Sequence, residues 1–239
     1  MARLDRERQA QAQALALAQE AERAAAEQLA AAQRGLARLG DQRDMLGRLR
    51  DEGAGMGSGP RAVLASRKQL AGIIGALGDL VQVPSELERA IEAALGGRLQ
   101  DIVVQRWEDA EAAVAFLKQR QAGRATFLPL DSLRPGRTVD APAAAGVLCL
   151  ASELVTFDPA IRPAVELALN HIVVVQDLPV ARRLLTANGR GTLVTVEGDI
   201  VRPGGSVTGG AESRARDSGV LARARTLRDL PAQIQAAAA

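Results

Sequence analysis

The sequence predicts an α/β (α+β) chain, in which two similar sub-domains of mixed sheet and helices are flanked by antiparallel coiled-coil helices. Three observations lead there. Residues 1 to about 50 contain neither proline nor a β-branched residue. Between about residues 65 and 212 an α/β pattern occurs twice. After that the chain returns to Ala, Arg, Leu and Gln.

The first element, residues 1–52, is rich in strong helix formers and reads as one outgoing helix. With Leu15, Leu29 and Leu36 at heptad position a, position d holds Leu4, Ala18, Ala25, Ala32, Leu39 and Leu46. Arg8, Gln11, Glu22 and Arg43 are the polar exceptions. An alanine-rich seam of this kind suits close pairing with a partner helix. A helix of this length reaches about 75 Å, too far to fold back over a domain this small. Residues 53–64 follow, where "GAGMGSGP" reads as a linker or sharp junction.

The first sub-domain, residues 65–140, contains "LVQVPSELERAIEAALGGRLQDIVVQRWEDAEAAVAFL" and then "GRATFLPLD". The second, residues 141–212, contains "LVTFDPAIRPAVELALNHIVVVQDLPVARRLL" and then "GRGTLVTVEGD". Each reads as a short strand, a proline-led helix, a buried strand (102–105 or 172–176), a second helix and a strand opening Gly-Arg-x-Thr. Matching positions lie about 66 to 75 residues apart. Ser85 is the expected cap of the first helix and Gly96-Gly97 its stop. Glu108, Asp109 and Glu111 favour the positive end of the next helix. Residues 213–239 form the returning helix, with Val220, Leu227 and Ile234 seven apart, and Pro231 is expected to interrupt or kink it.

Composition excludes several functions. Trp107, Phe116, Phe127 and Phe157 are the only aromatic residues, so stacking of bases on aromatic platforms has little to use. Cys149 is the only cysteine and His171 the only histidine. A disulfide within the chain, a chelating cysteine pair, histidine-based metal sites and His-dependent triads are all short of partners. Asp131 and Asp199 follow the equivalent Gly-Arg-x-Thr strands and read as turn formers. No catalytic residue, metal site or cofactor is expected. The N-terminus lacks a signal-peptide pattern and no apolar run reaches membrane-spanning length; a reducing, cytoplasmic setting fits.

Two clusters remain. Net charge is only +2, yet Arg61, Arg67 and Lys68 lie where the outgoing helix meets the globular part. Arg214, Arg216, Arg223 and Arg225 lie where the returning helix leaves it. If the arms pair, these groups converge into a positive field suited to DNA phosphates, read without sequence specificity. The other cluster is "GDIVRPGGSVTGG", residues 198–210. A phosphate-cradling loop would need Gly-x-x-x-x-Gly-Lys-Ser/Thr, and no lysine follows these glycines.

The segments 72–104, 123–135 and above all "VTVEGDIVRPGGSVTGG" (194–210), set between an outgoing and a returning arm, resemble the hinge of structural maintenance of chromosomes (SMC) proteins, most of all the bacterial type. The resemblance covers about residues 65–212. It implies a homodimerising module whose sub-domains meet those of a second copy head-to-tail, joins two coiled-coil arms and is associated with the nucleoid. Gly204, Gly205, Ser206, Val207, Thr208, Gly209 and Gly210 would then form the dimer interface. Bare backbone there allows close approach, and the β-forming pair Val207-Thr208 offers a strand edge. The ATP-binding motifs of the family's head are absent from the sequence, so no enzymatic activity is expected of this stretch, nor any small-molecule substrate or membrane partner. Two other readings stay open: a nucleotide- or small-molecule-binding α/β domain using the glycine turn, and a coiled-coil dimeriser without affinity for DNA.

Overall fold

A computed structural model describes residues 2–134, 138–186, 191–210 and 219–238, the side chains of residues 1–7 and 10 excepted. The chain divides into two compact units, residues 1–46 with 229–239 and residues 47–228.

The first unit holds most of α1 (Ala2–Asp51) and the end of α8 (Val220–Ala238). Leu230 is fully covered, and Leu36, Leu39, Leu46 and Ile234 are half-buried, so the heptad seam is occupied toward the end of α1. Toward its start the seam is open: Leu15 and Leu29 are 61% and 60% exposed. Pro231 does not interrupt α8, which runs through it. Proline removes one amide and crowds one carbonyl of the preceding turn, and the rest of the ladder carries the helix past it.

The second unit begins with a departure from expectation. Residues 58–65 are not linker but α2 (Ser58–Ala65), with Gly59, Pro60, Val63 and Leu64 buried. Proline is tolerated in a first helical turn because its missing amide would have no partner there, and Gln100 accepts the Gly57 N–H at 2.8 Å. Next come β1 (Ile73–Ala76), the single turn α3 (Leu77–Leu80) and β2 (Val81–Gln82). These are followed by α4 (Glu88–Leu95), β3 (Ile102–Val104), α5 (Trp107–Arg120) and β4 (Phe127–Pro129). The second copy repeats the order as β5 (Val147–Leu150), β6 (Thr156–Phe157), α6 (Arg162–Leu169), β7 (Ile172–Val175), α7 (Leu178–Thr186) and β8 (Thr192–Thr195). It then adds β9 (Ile200–Val201) and β10 (Val207–Thr208).

The duplication extends to detail. In both copies the first strand runs antiparallel to the buried strand and shifts register at its second residue, between Ile73 and Gly75 and between Val147 and Cys149. In both, the buried strand then pairs in parallel with β4 or β8. The two-stranded β2–β6 ladder joins the copies. Ser85 opens a 3-10 turn, Ser85–Leu87, without a capping side-chain bond, because Pro84 takes the cap position and the α-helix begins only at Glu88. Gly96, at φ +49°, does end α4. On α5 the expected acidic start is realised: Asp109 accepts the Arg106 N–H and Asp131 the Trp107 N–H, at 3.0 and 3.1 Å.

Strand alternation divides the core into three layers. Ile102 and Val104 face α2 and α5, whereas Val103 joins Ala90, Ile91, Val165, Leu169, Ile172, Val174 and Val194 in a central cluster that both copies share. Val173 and Val175 face α7. Thus α4 and α6 lie between the sheets β1-β3-β4 and β10-β9-β8-β7-β5. The two sub-domains have a joint core. Each fully buried Ile or Leu in it contributes about 1.5–3 kcal/mol.

Candidate functional site

The glycine-rich segment is the continuation of sheet β10-β9-β8-β7-β5. After β8 the chain turns at Thr195–Asp199, where the Asp199 amide donates to Thr195 Oγ1 at 2.9 Å and the Thr195 hydroxyl donates to Asp199 Oδ2 at 3.2 Å. Asp199 is therefore a turn former. β9 then pairs with β8 and β10 with β9, both antiparallel. The second hairpin closes where Gly205 N–H donates to Arg202 C=O at 2.8 Å and Arg202 N–H donates to Ser206 C=O at 3.0 Å. Arg202 Nη1 also donates to Thr208 Oγ1 at 3.1 Å across the ladder. The Gly205 amide is committed inside the hairpin, which weakens any anion-cradling role for it.

Residues 202–210 are all exposed, Val207 at 59%. Because Ser206 faces β9, alternation points the amide and carbonyl of Val207 and Gly209 away from the sheet. Among the described residues β10 is thus an edge strand, with the backbone groups of Val207 and Gly209 unpaired. The other sheet has a matching vacancy. Ile102 N–H and Leu130 N–H bond to Thr126 C=O and Val104 C=O, so Phe127 directs its amide and carbonyl outward from β4, whereas Pro129 has no N–H and its carbonyl accepts the Ser132 and Leu133 amides at 3.2 and 3.0 Å. In the second copy β9 lies on the corresponding side of β8, whereas among the described residues no strand lies on that side of β4.

The arginines divide differently. Arg61, Arg67 and Arg223 gather around the turn that follows α1. Arg61 lies against Gly53 and donates to Met56 C=O at 3.2 Å; Arg67 Nη2 is 3.6 Å from Asp51; Arg223 Nη2 is 3.4 Å from where a Cβ on Gly55 would stand. Lys68 is exposed. Arg225 is engaged by Glu88, with Nε to Oε1 at 2.5 Å. Arg214 and Arg216 lie outside the described residues. The fold brings Asp51, Glu88 and Asp79 to these cations from other segments, which local spacing in the sequence does not show. Burial lifts the Asp79 carboxyl above the usual range, against the pull of Arg50 and Arg223, with Asp51 adding to the rise.

Burial also shifts the single histidine and the single cysteine of the sequence. Burial, with Arg98, lowers the His171 pKa, and the His171 carbonyl accepts the Thr192 N–H. Burial and Glu153 raise the Cys149 thiol. Among the described residues no group of His, Cys, Asp and Glu could hold a metal ion, and no helix is long and apolar enough to cross a membrane.

Comparison with known proteins accords with this geometry. Residues 70–185 match the model of the SMC proteins Flexible Hinge Domain. The chain is 40% identical over 195 residues to the chromosome partition protein Smc of Bacillus subtilis, covering 79% of this chain and 16% of that one. It spans a similarly small share, 17%, of the Myxococcus xanthus Smc, to which it is 37% identical. Among solved structures it is similar to the Geobacillus stearothermophilus SMC hinge domain, crystallised as an asymmetric dimer, with TM-score 0.79 and 36% identity over 87% of this chain and 85% of that one. The Pyrococcus furiosus SMC hinge domain matches with TM-score 0.56 and 30% identity, covering 77% and 91%. A duplicated α/β unit closed by a glycine-rich hairpin, alike in sequence and in fold across nearly the whole of those hinges, places this chain in the SMC hinge domain family.

Proposed function

We propose that this chain is the homodimerisation hinge of a chromosome-organising SMC protein, joining two coiled-coil arms through pairing of the β10 edge of one copy with the β4 edge of another. The observation that carries this reading is the mismatch between the duplicated sheets. Among the described residues, one ends in an extra hairpin with a free edge, and the other has no strand at the place that hairpin occupies. In a two-fold dimer the contact forms twice, so short ladders on each side suffice for a closed assembly. Gly204 to Gly210 line this edge with little side-chain bulk.

Val207→Pro tests it directly. The amide of Val207 points away from β9, so proline there leaves the hairpin intact and removes an outward donor, as at natural sheet edges. Sedimentation over a concentration series is expected to show a dimer for the wild type and a single chain for the variant, with unchanged circular dichroism. A wild type that stays a single chain at every concentration would overturn the proposal.

The arm root is proposed to bind DNA without sequence preference through Arg61, Arg67, Lys68, Arg214, Arg216, Arg223 and Arg225. The gathering of Arg61, Arg67 and Arg223 around one turn supports this, and Asp51 and Glu88 temper it. A nucleoid-associated protein in the cytoplasm and an ATPase head elsewhere in the full-length protein belong to the same proposal.

A further inference from the structure

The first turn of α8 is capped from across the fold. Val220 N–H donates to Glu92 Oε1 at 2.9 Å, between residues 128 apart in sequence. A Cβ on Gly219 would overlap the Glu92 carboxylate, so glycine at that position makes the approach possible. One turn earlier on α4, Glu88 is only 13% exposed and grips Arg225 with both oxygens, at 2.5 and 3.4 Å. Two carboxylates on one face of α4 therefore hold the first two turns of α8, one at the positive end of its dipole and one by an ion pair.

The duplication supplies a control. α6, the counterpart of α4, has Arg162 and Glu166 at the same first and fifth positions, and these pair with each other at 3.7 Å. A double-acid face belongs to the copy that seats the returning helix. Another side of α4 touches the route to the dimer edge. Gly198, in the turn between β8 and β9, is packed so closely that a Cβ would stand 3.1 Å from Arg89 Cγ and 3.3 Å from the Arg89 carbonyl. The core side of α4, Ala90 and Ile91, is fully buried in one cluster with Val194 of β8 and Leu221 of α8.

We infer that α4 couples the seating of α8 to the docking of a second chain on β10, so that arm root and dimer edge stabilise one another. This rests on the dimer reading above. Close-packed contacts transmit displacement because they leave no void to absorb it, and a coupling between two sites acts equally in both directions.

The test combines Glu88→Gln with Glu92→Gln and reads two quantities, hydrogen exchange of the amides of residues 220–226 and the dimer dissociation constant. Both are expected to change together, with faster exchange and a dimer weaker by at least about fivefold. The monomeric Val207→Pro chain, with its carboxylates intact, should also exchange faster at 220–226. Exchanging the charges, Glu88→Arg with Arg225→Glu, should restore most of the dimer affinity and guards against simple misfolding of the glutamine variant. If the glutamine variant frees the α8 root yet dimerises like the wild type, the coupling is overturned. If exchange at 220–226 does not change, the seat itself is overturned. A wild type that never dimerises overturns the dimer reading instead, while its exchange pattern still reports whether the carboxylates hold α8.

Discussion

Gly204, Gly205 and Gly209 share one hairpin, yet each is glycine for a different reason. Gly205 sits at φ +85°, a conformation that disfavours any side chain by about 1–2 kcal/mol. At Gly209 a Cβ would overlap the Asp199 carboxylate of the same chain. Gly204 has open space and no unusual dihedral. Only Gly204 therefore reports on a partner without disturbing the fold. Gly204→Trp is expected to keep the melting temperature within a few degrees and to weaken the dimer at least about tenfold, about 1.4 kcal/mol. Gly209→Leu should destabilise the isolated chain by about 1–3 kcal/mol. The sequence shows that these positions are bare, but only the fold shows which are bare for internal reasons. Asp101 was not legible as unusual at all. Burial lifts its carboxyl to about 6, against Arg98 and a Thr126 hydrogen bond. The folded chain then holds a proton, between the ordinary carboxylate range and pH 6, that the unfolded chain has released. Its contribution to stability is full below that window and is lost as pH rises through about 6. Asp101→Asn should flatten this dependence and raise stability above pH 7 by about 1 kcal/mol, a value reduced for its half-exposed position. Urea titrations at pH 4 to 8 would check it.

At the scale of elements, strong periodicity and capping made the long helices, the buried strands and the order of both copies readable. Glycine density misled at α2, where "GSGPR" combines turn residues with a helix that packs into the core. Gly59 is required there because a Cβ would overlap the Arg124 carbonyl in the approach to β4. Gly59→Ala is expected to destabilise the chain by about 3 kcal/mol, measurable by thermal unfolding; a true linker position would be indifferent. β1 and β5 escaped notice because four residues and an immediate turn give no period to detect. Their shared signal was the glycine before each strand, Gly72 and Gly146, both at positive φ. The cap of α8 could not have been found from local spacing, since Glu92 comes from another element altogether.

For the whole molecule, the repeat predicted two sub-domains, and they exist as copies of one topology, but their central core is joint. Alternating residues of a strand buried on both faces, such as Val103 between Ile102 and Val104, serve two layers at once, and composition alone does not reveal that. Charge behaves similarly: arginines near the arm root are plain in the sequence, whereas the acids that offset them arrive through folding. DNA affinity is accordingly expected to be modest and steeply dependent on salt. Arg61→Glu with Lys68→Glu should weaken binding and make the slope of log affinity against log salt shallower by about 0.9 for each phosphate no longer neutralised. An unchanged slope would remove the DNA proposal. The head-to-tail pairing of β10 with β4 is tested most directly by mixing two variants, Val207→Cys and Phe127→Cys, each in a Cys149→Ser background, and oxidising the mixture. A disulfide-linked species of twice the 25.0 kDa chain mass, containing one of each variant, is expected. Recovery of only single chains, with both variants folded and mixed at concentrations where they associate, would contradict it.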